Sequence, residues 1–279
     1  MRLPEDVIEE VLLRLGVKEL LLASQVSSSW NRIVKSKQFL KRKFKRERMK
    51  LPRSVWDDNL SIKFYLSLLK NSLVPYEKNL LHNSSGEEEV EDSPQLRLGN
   101  RVEEDFDINW FRGWRVWSSG GQGWRLMQQD GIRYFVTSYM SCTKEQVINL
   151  EEKGIAGWIL DTLRPEITFE EQYSASPGHG GCYECRVGLL DAERKTLYAK
   201  KDRCETESFP SWRTWKGTFV DYPKGVRNIM FYHGGFADDM QVKLNTLKLN
   251  IIWIILKEGW WGTRMTGAKV TIAFPKSSS

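Results

Sequence analysis

At 279 residues the chain exceeds the usual span of one hydrophobic core, and its 41% hydrophobic content fits a folded protein of two domains rather than a disordered one. Four cysteines in that length exclude a disulfide framework, and with no leader ahead of the first helix we expect a reduced, cytoplasmic protein. The longest apolar run, Ile251 to Leu256, is far too short to cross a bilayer, and the formal charge of +6 is local: residues 35–53 carry ten Lys or Arg against Glu47, leaving the remainder of the chain at −3.

Leu3-Pro4-Glu5-Asp6 predicts a helix start, because proline is harmless in a first turn and the two acids meet the positive end of the helix dipole. Ile8, Val11, Leu12 and Leu15 recur at helical spacing until Gly16 stops them. Leu20 to Ala23 form a second short apolar helix. One of Ser27, Ser28 and Ser29 caps a third, on which Trp30, Ile33 and Val34 share a face. A stretch of about forty residues cannot bury three leucine-rich faces internally, so a partner is expected to cover part of them. The alternative is a small bundle packed on the domain that follows. The Leu-Pro start with Val26 and Trp30 four apart resembles an F-box. The resemblance implies an adaptor that binds a Skp-type subunit, and through it a cullin scaffold, with Leu3, Pro4, Ile8, Leu12, Val26 and Trp30 on or behind the bound face.

Phe39, Leu40 and Phe44 give the basic segment an amphipathic pattern, which nucleic acid or an anionic membrane would suit. No stacking or base-reading motif accompanies the charge, so we take it for a solvated helical linker and expect no nucleic acid and no membrane insertion. Ile62, Tyr65, Leu66, Leu69 and Leu73 continue the linker as helix until Pro75 ends it. The expected organisation is residues 1–45 as F-box, 46–78 as helical linker and 79–275 as a second domain.

Most of the twelve tryptophans fall after residue 100, among segments that alternate or run apolar as strands do: 133–139, 185–190 and 218–220. Turn signals at Gly120-Gly121, Pro177-Gly178, Pro223-Lys224-Gly225 and Gly234-Gly235 punctuate them, and Glu87 to Asp92 form an acidic patch opening an exposed loop over 89–109. From Asn79 onward the chain resembles the F-box-associated (FBA) domain of the sugar-recognising F-box proteins. The stretches that carry this are NLLHNSSGEE from Asn79, Trp114 with GGQGW from Gly120, YFVTSYMSCTKEQVINLEEKG from Tyr134, LDTLRPEI from Leu160, DYPKGVRNIMFYHGG from Asp221 and GWWGTRMTGAKVTI from Gly259. The fold implied is α+β and multidomain: a three-helix F-box, a helical linker and an antiparallel β-sandwich of jelly-roll, galactose-binding-like type.

Glycan-binding members of that family grip the inner core of high-mannose glycans with loops at one end of the sandwich, an aromatic face covering the apolar side of a sugar ring. The resemblance implies three contributors: an aromatic in a Ser-aromatic-x-x-Cys stretch, an Asp in the turn before a Cys-x-Tyr strand, and Tyr-Trp-Lys just before Gly-Trp-aromatic-Gly. Tyr139 fills the first, in Ser138-Tyr139-Met140-Ser141-Cys142. The turn acid falls on Gly178 or His179. Before Gly259-Trp260-Trp261-Gly262 stands Leu256-Lys257-Glu258, and counting from Gly235 instead reaches Met240-Gln241-Val242. The stretch Phe236 to Glu258 is also far longer than the family's. It is either a loop expansion with Trp253 as a replacement platform or translated non-coding sequence, the reading we favour. Tyr139, Trp253, Lys257 and Trp260 are thus the candidate glycan or substrate contacts.

His179, Cys182 and Cys185 at three-residue spacing could supply metal ligands, but Cys185 opens a strand-like run and no fourth ligand is evident, so neither metal nor cofactor is expected. No phosphate loop and no catalytic triad can be assembled from three histidines. Two functions remain: a non-catalytic substrate adaptor of a ubiquitin ligase presenting a glycoprotein or another protein, or a lectin-like module not coupled to ubiquitination.

Overall fold

The computed structural model describes residues 4–57, 60–71, 75–88, 112–206, 211–237 and 259–275. Contacts group the chain into two compact units. The first takes residues 1–77, 150–166 and 272–279, and the second takes 78–149 and 167–271.

The first unit holds helices α1 (Glu5–Arg14), α2 (Val17–Val26), α3 (Ser28–Lys35), α4 (Lys37–Arg46), α5 (Arg53–Asp57), α6 (Ile62–Asn71) and α7 (Gly157–Thr162). Pro4 sits one position ahead of α1, and Glu5 and Asp6 occupy its first turn. Ser27 caps α3 by accepting a hydrogen bond from the Trp30 amide at 3.2 Å, and Ser36 does the same for α4 through Phe39 at 3.1 Å. Leu12, Leu13, Leu20, Ala23, Ile33, Val34 and Phe39 form the core, with Ile8, Leu15, Trp30 and Ile62 packed against it.

The basic segment is not simply a solvated linker. Phe39, Leu40 and Phe44 are buried, and so is Lys43, at 3% exposure. Its ammonium donates to the carbonyls of Leu13 at 3.0 Å and Leu15 at 2.8 Å, and pairs with Glu47 at 2.6 Å. Those carbonyls lie at the C-terminus of α1, where the backbone has no helical donors left and a cation is favoured. Lys43 therefore caps one helix from within another. The following helices pack in the same way: Trp56 stacks on Tyr65 at 4.9 Å, Phe44 meets Trp56 edge-on at 5.5 Å, and the Tyr65 hydroxyl donates to the Val55 carbonyl. Tyr65, Leu66 and Leu69 are buried as their spacing predicts, while Leu73 lies outside the described residues.

The second unit is an antiparallel β-sandwich of two five-stranded sheets. Its strands are β1 (Arg115–Ser119), β2 (Trp124–Gln129), β3 (Ile132–Thr137), β4 (Cys142–Asn149), β5 (Ile167–Ser174), β6 (Gly181–Leu190), β7 (Thr196–Thr206), β8 (Arg213–Phe219), β9 (Asn228–Ala237) and β10 (Arg264–Ile272). One sheet runs β1-β4-β9-β6-β7 and the other β2-β3-β10-β5-β8. Phe135, Ile148, Val187, Leu189, Phe231 and Val270 are among its buried side chains.

The turns expected at 120–121, 177–178 and 223–225 lie between strands, but Gly234-Gly235 does not make a turn. Both glycines sit inside β9, the middle strand of its sheet. A Cβ on Gly235 would lie 2.5 Å from the Cys182 carbonyl and 2.8 Å from the Thr263 Cβ, and one on Gly234 would strike the Cys142 carbonyl. Close approach of neighbouring backbone selects glycine there, which sequence pattern alone cannot separate from a turn.

Candidate functional site

Two surfaces stand out, one in each unit. Among the described residues of the helical unit, five large apolar side chains remain in solvent: Val7 (42% exposed) and Val11 (50%) on α1, with Leu21 (46%), Leu22 (65%) and Val26 (67%) on α2. Val7 and Val11 are four apart, as are Leu22 and Val26, so each pair lies on one face of its helix. Of the residues expected at a partner face, Pro4 and Val26 are exposed and Ile8 and Trp30 half-buried. Leu12 is fully buried, so any part it plays is as support, and Leu3 lies outside the described residues. Val7, Val11, Leu21 and Leu22 are additions to the residues expected there; for Val7 the signal was its offset from the stripe that carries Ile8 and Leu12.

In the sandwich, four connections are pinned together at one end. Gly262 donates to the Thr137 carbonyl at 3.0 Å, Ser138 donates through its amide to Gly123 and through its hydroxyl to Gly120, and the Ser176 hydroxyl donates to the Gly262 carbonyl at 2.7 Å. β3 stops at Thr137, so Ser138-Tyr139-Met140 form a loop rather than the end of a strand. Tyr139 is half-buried against Gly121, whose φ of +62° suits a glycine, and Met140 is exposed. Trp260 is half-buried, with the Arg125 guanidinium 4.4 Å from its ring centre. Trp261 is exposed and stacks on His179 at 4.9 Å. The rim therefore brings Tyr139 and Trp260 to one end, and adds Trp261, His179 and Arg125. Each indole already has a cationic or heteroaromatic neighbour on its ring. Trp253 and Lys257 lie outside the described residues.

Among the described residues no group of three or more His, Cys, Asp or Glu side chains could hold a metal ion. Cys182 and Cys185 are three apart on β6 and so point to opposite faces of the sheet. Cys182 accepts a contact from the Arg203 guanidinium at 3.1 Å, whereas burial pushes the Cys185 thiol well up. Deeper in the sandwich, the Glu171 carboxyl group meets His233 Nδ1 at 2.6 Å and accepts from the Tyr183 hydroxyl at 2.5 Å. The Lys144 ammonium lies nearby, 2.8 Å from the centre of the Phe135 ring. All four residues are buried.

Residues 1–42 match the model of the F-box domain, and residues 72–251 match that of the F-box associated region. The chain belongs to the F-box associated family. F-box only protein 44 of Homo sapiens is 29% identical over 281 residues, spanning 98% of this chain and 96% of the relative. F-box only protein 6 of Rattus norvegicus is 28% identical over 287 residues, spanning 97% and 86%. Among solved structures, TmCBM61 in complex with beta-1,4-galactotriose shares 11% identity at a TM-score of 0.37, covering 72% of this chain and all of that one, a likeness too distant to bear an argument. The F-box match covers the helices that expose Val7, Val11, Leu21, Leu22 and Val26, and the FBA match covers the Tyr139 loop. No helix of the described residues is long and apolar enough to cross a membrane.

Proposed function

We propose that this chain is a substrate-recognition adaptor of a Skp–cullin–F-box type ubiquitin ligase, with no catalysis of its own. On this reading residues 1–45 dock a Skp-type subunit, and through it a cullin scaffold, 46–78 connect, and 79–275 hold a glycoprotein or other protein substrate in the cytoplasm. The observation that carries it is the pair of exposed apolar stripes on α1 and α2, surface that a stable monomer normally buries or covers with a partner. The substrate end is the aromatic rim, with Tyr139 and Trp260 as contacts and Trp253 and Lys257 as further ones from the segment that follows β9.

The test is binding of purified Skp-type subunit to the full chain by calorimetry, beside Leu22→Asp/Val26→Asp. We expect the parent to bind and the double variant to lose on the order of 100-fold in affinity, because two desolvated anchors become charges at an apolar contact. The variant should keep its helical content and melting temperature, since both side chains are already in solvent. No binding by the parent would remove the adaptor reading and leave a lectin-like module uncoupled from ubiquitination.

A further inference from the structure

The aromatic rim carries unmet hydrogen-bonding capacity beside an unmatched charge. Two of its polar atoms, the Trp260 Nε1 donor and the Gln122 Oε1 acceptor, are shielded from solvent and have no hydrogen-bond partner among the described residues. Buried polar groups are normally paired, so orphans of this kind point to a missing partner. Both side chains are themselves half-buried, which puts the two atoms in the outer layer of the sandwich and not in its core. Gln122 stands three residues ahead of Arg125. Arg125 is exposed on β2, holds its guanidinium 4.4 Å from the Trp260 ring centre, and makes no ion pair among the described residues.

The charge extends beyond that residue. The five strands of the same sheet carry Arg125, Arg133, Arg213, Lys216, Arg264 and Lys269 against two carboxyl groups, Glu170 and Glu171. Glu171 is buried against His233 and Tyr183, while Glu170 pairs with Lys269 at 3.5 Å and lies opposite Lys216 in register. Arg125 and Arg264 both pair with Val136, from the strands on either side of it, so they share one face about 10 Å apart. Arg264 is buried, and its hydrogen bonds go to neutral groups: the Ala175 carbonyl at 2.9 Å, the Ser174 hydroxyl at 3.3 Å and the Gln129 side chain at 3.5 Å. The sheet that meets the rim is therefore cationic on this face.

We propose that the rim binds an acidic peptide segment: a side-chain carboxylate accepts hydrogen bonds from the Arg125 guanidinium and the Trp260 indole N–H, and a main-chain amide of the same segment donates to Gln122. The inference rests on the sandwich being the substrate end, and it narrows the substrate class from glycoprotein or protein to a protein with an exposed run of acids. The guanidinium sits over the face of the indole, which leaves the N–H, projecting in the ring plane, for another partner. Charge-assisted hydrogen bonds are the strong ones, and the planar fork of an arginine matches a carboxylate. Neutral sugar hydroxyls would satisfy the two orphaned atoms but leave the arginine unmatched. A peptide supplies both the oxyanion and the amide N–H.

The full chain is titrated by calorimetry, at low and at high salt, with three probes: a short capped peptide of alternating Asp and Glu, its Asn and Gln twin, and an oligosaccharide containing glucuronate. We expect the acidic peptide to bind at least about tenfold more tightly than its twin and to weaken as salt rises. Arg125→Gln, at an exposed position, should remove about that factor together with most of the salt dependence. Trp260→Phe keeps a ring and deletes the N–H; it should weaken binding about fivefold and leave the salt dependence in place. Equal binding of the two peptides, no binding of either, or an Arg125→Gln chain that binds the acidic peptide as the parent does overturns the proposal, and none of these outcomes needs the Trp260 variant to fold. Binding of the oligosaccharide without the acidic peptide would make the rim a site for acidic sugar and overturns it equally. The Skp-type subunit is titrated into the same preparation: a chain that binds the subunit but not the acidic peptide sinks this inference and keeps the adaptor reading, and the opposite pattern does the reverse.

Discussion

Lys43 and Gly235 show how single side chains, or the lack of one, hold each unit. Lys43 donates to two carbonyls at the end of α1 from a buried position, so Lys43→Met keeps the aliphatic stem but leaves those acceptors without the cation. We expect the helical unit to lose about 1–3 kcal/mol by denaturant titration, the range for orphaned buried acceptors. Gly235→Ala places a methyl group against the Cys182 carbonyl and the Thr263 side chain, neither of which is a flexible tip. Overpacking of that kind costs about 1–3 kcal/mol, and the same titration on the sandwich should show it. Neither residue's role was legible in the sequence. A lysine in a basic run and two adjacent glycines carry stronger prior readings, solvated face and turn, and only the approach of a distant segment reverses them. A serine cap within 27–29 was legible, because a cap acts on its own helix three residues away; that it is Ser27 came from the structure.

Elements were predictable where their signal was periodic and local. The three N-terminal helices, α6 and strands β3 and β6 follow the apolar spacing of their own residues, whereas β8 shares only Thr218 and Phe219 with the stretch expected at 218–220. What spacing could not give was the neighbour: Trp56 and Tyr65 of the linker helices pack against Phe44 of α4. Trp56→Ala should therefore destabilise the helical unit by about 2–4 kcal/mol, measured by helical ellipticity on heating, since it removes a stacked ring and the edge contact beneath it. An ordinary solvated linker would tolerate the change with no measurable loss. The rim was half legible. Tyr139 and Trp260 could be placed by motif, but His179, Arg125 and Trp261 became part of it only through loop geometry.

At the scale of the whole chain, the binding surface proposed above is the rim together with the long segment after β9. With one family aromatic retained and indole faces occupied by Arg125 and His179, chitobiose-core glycans should bind far more weakly than to a rim carrying Tyr-Trp-Lys. Loss of a stacking pair removes roughly 2–4 kcal/mol, which separates micromolar from millimolar affinity. Calorimetry on the chain, beside a variant with Phe236 to Glu258 shortened to a loop bearing Tyr-Trp-Lys, checks this; tight binding by the parent would instead make Trp253 a replacement platform. A last consequence concerns synthesis. The helical unit is assembled from three stretches of chain, and Glu77 joins it to the far end: its amide donates to the Ile272 carbonyl, its carboxyl group accepts from the Phe274 amide, and Tyr76 packs on Phe274 at 5.1 Å. A ribosome adding about 5–20 residues per second would finish the first helices roughly 10–40 s before those closing contacts emerge. During that interval the nascent helices lack part of their own unit, and a docking partner or a chaperone has first access to them. Arresting translation at Thr271 should leave the helices more open to protease than release of the full chain does.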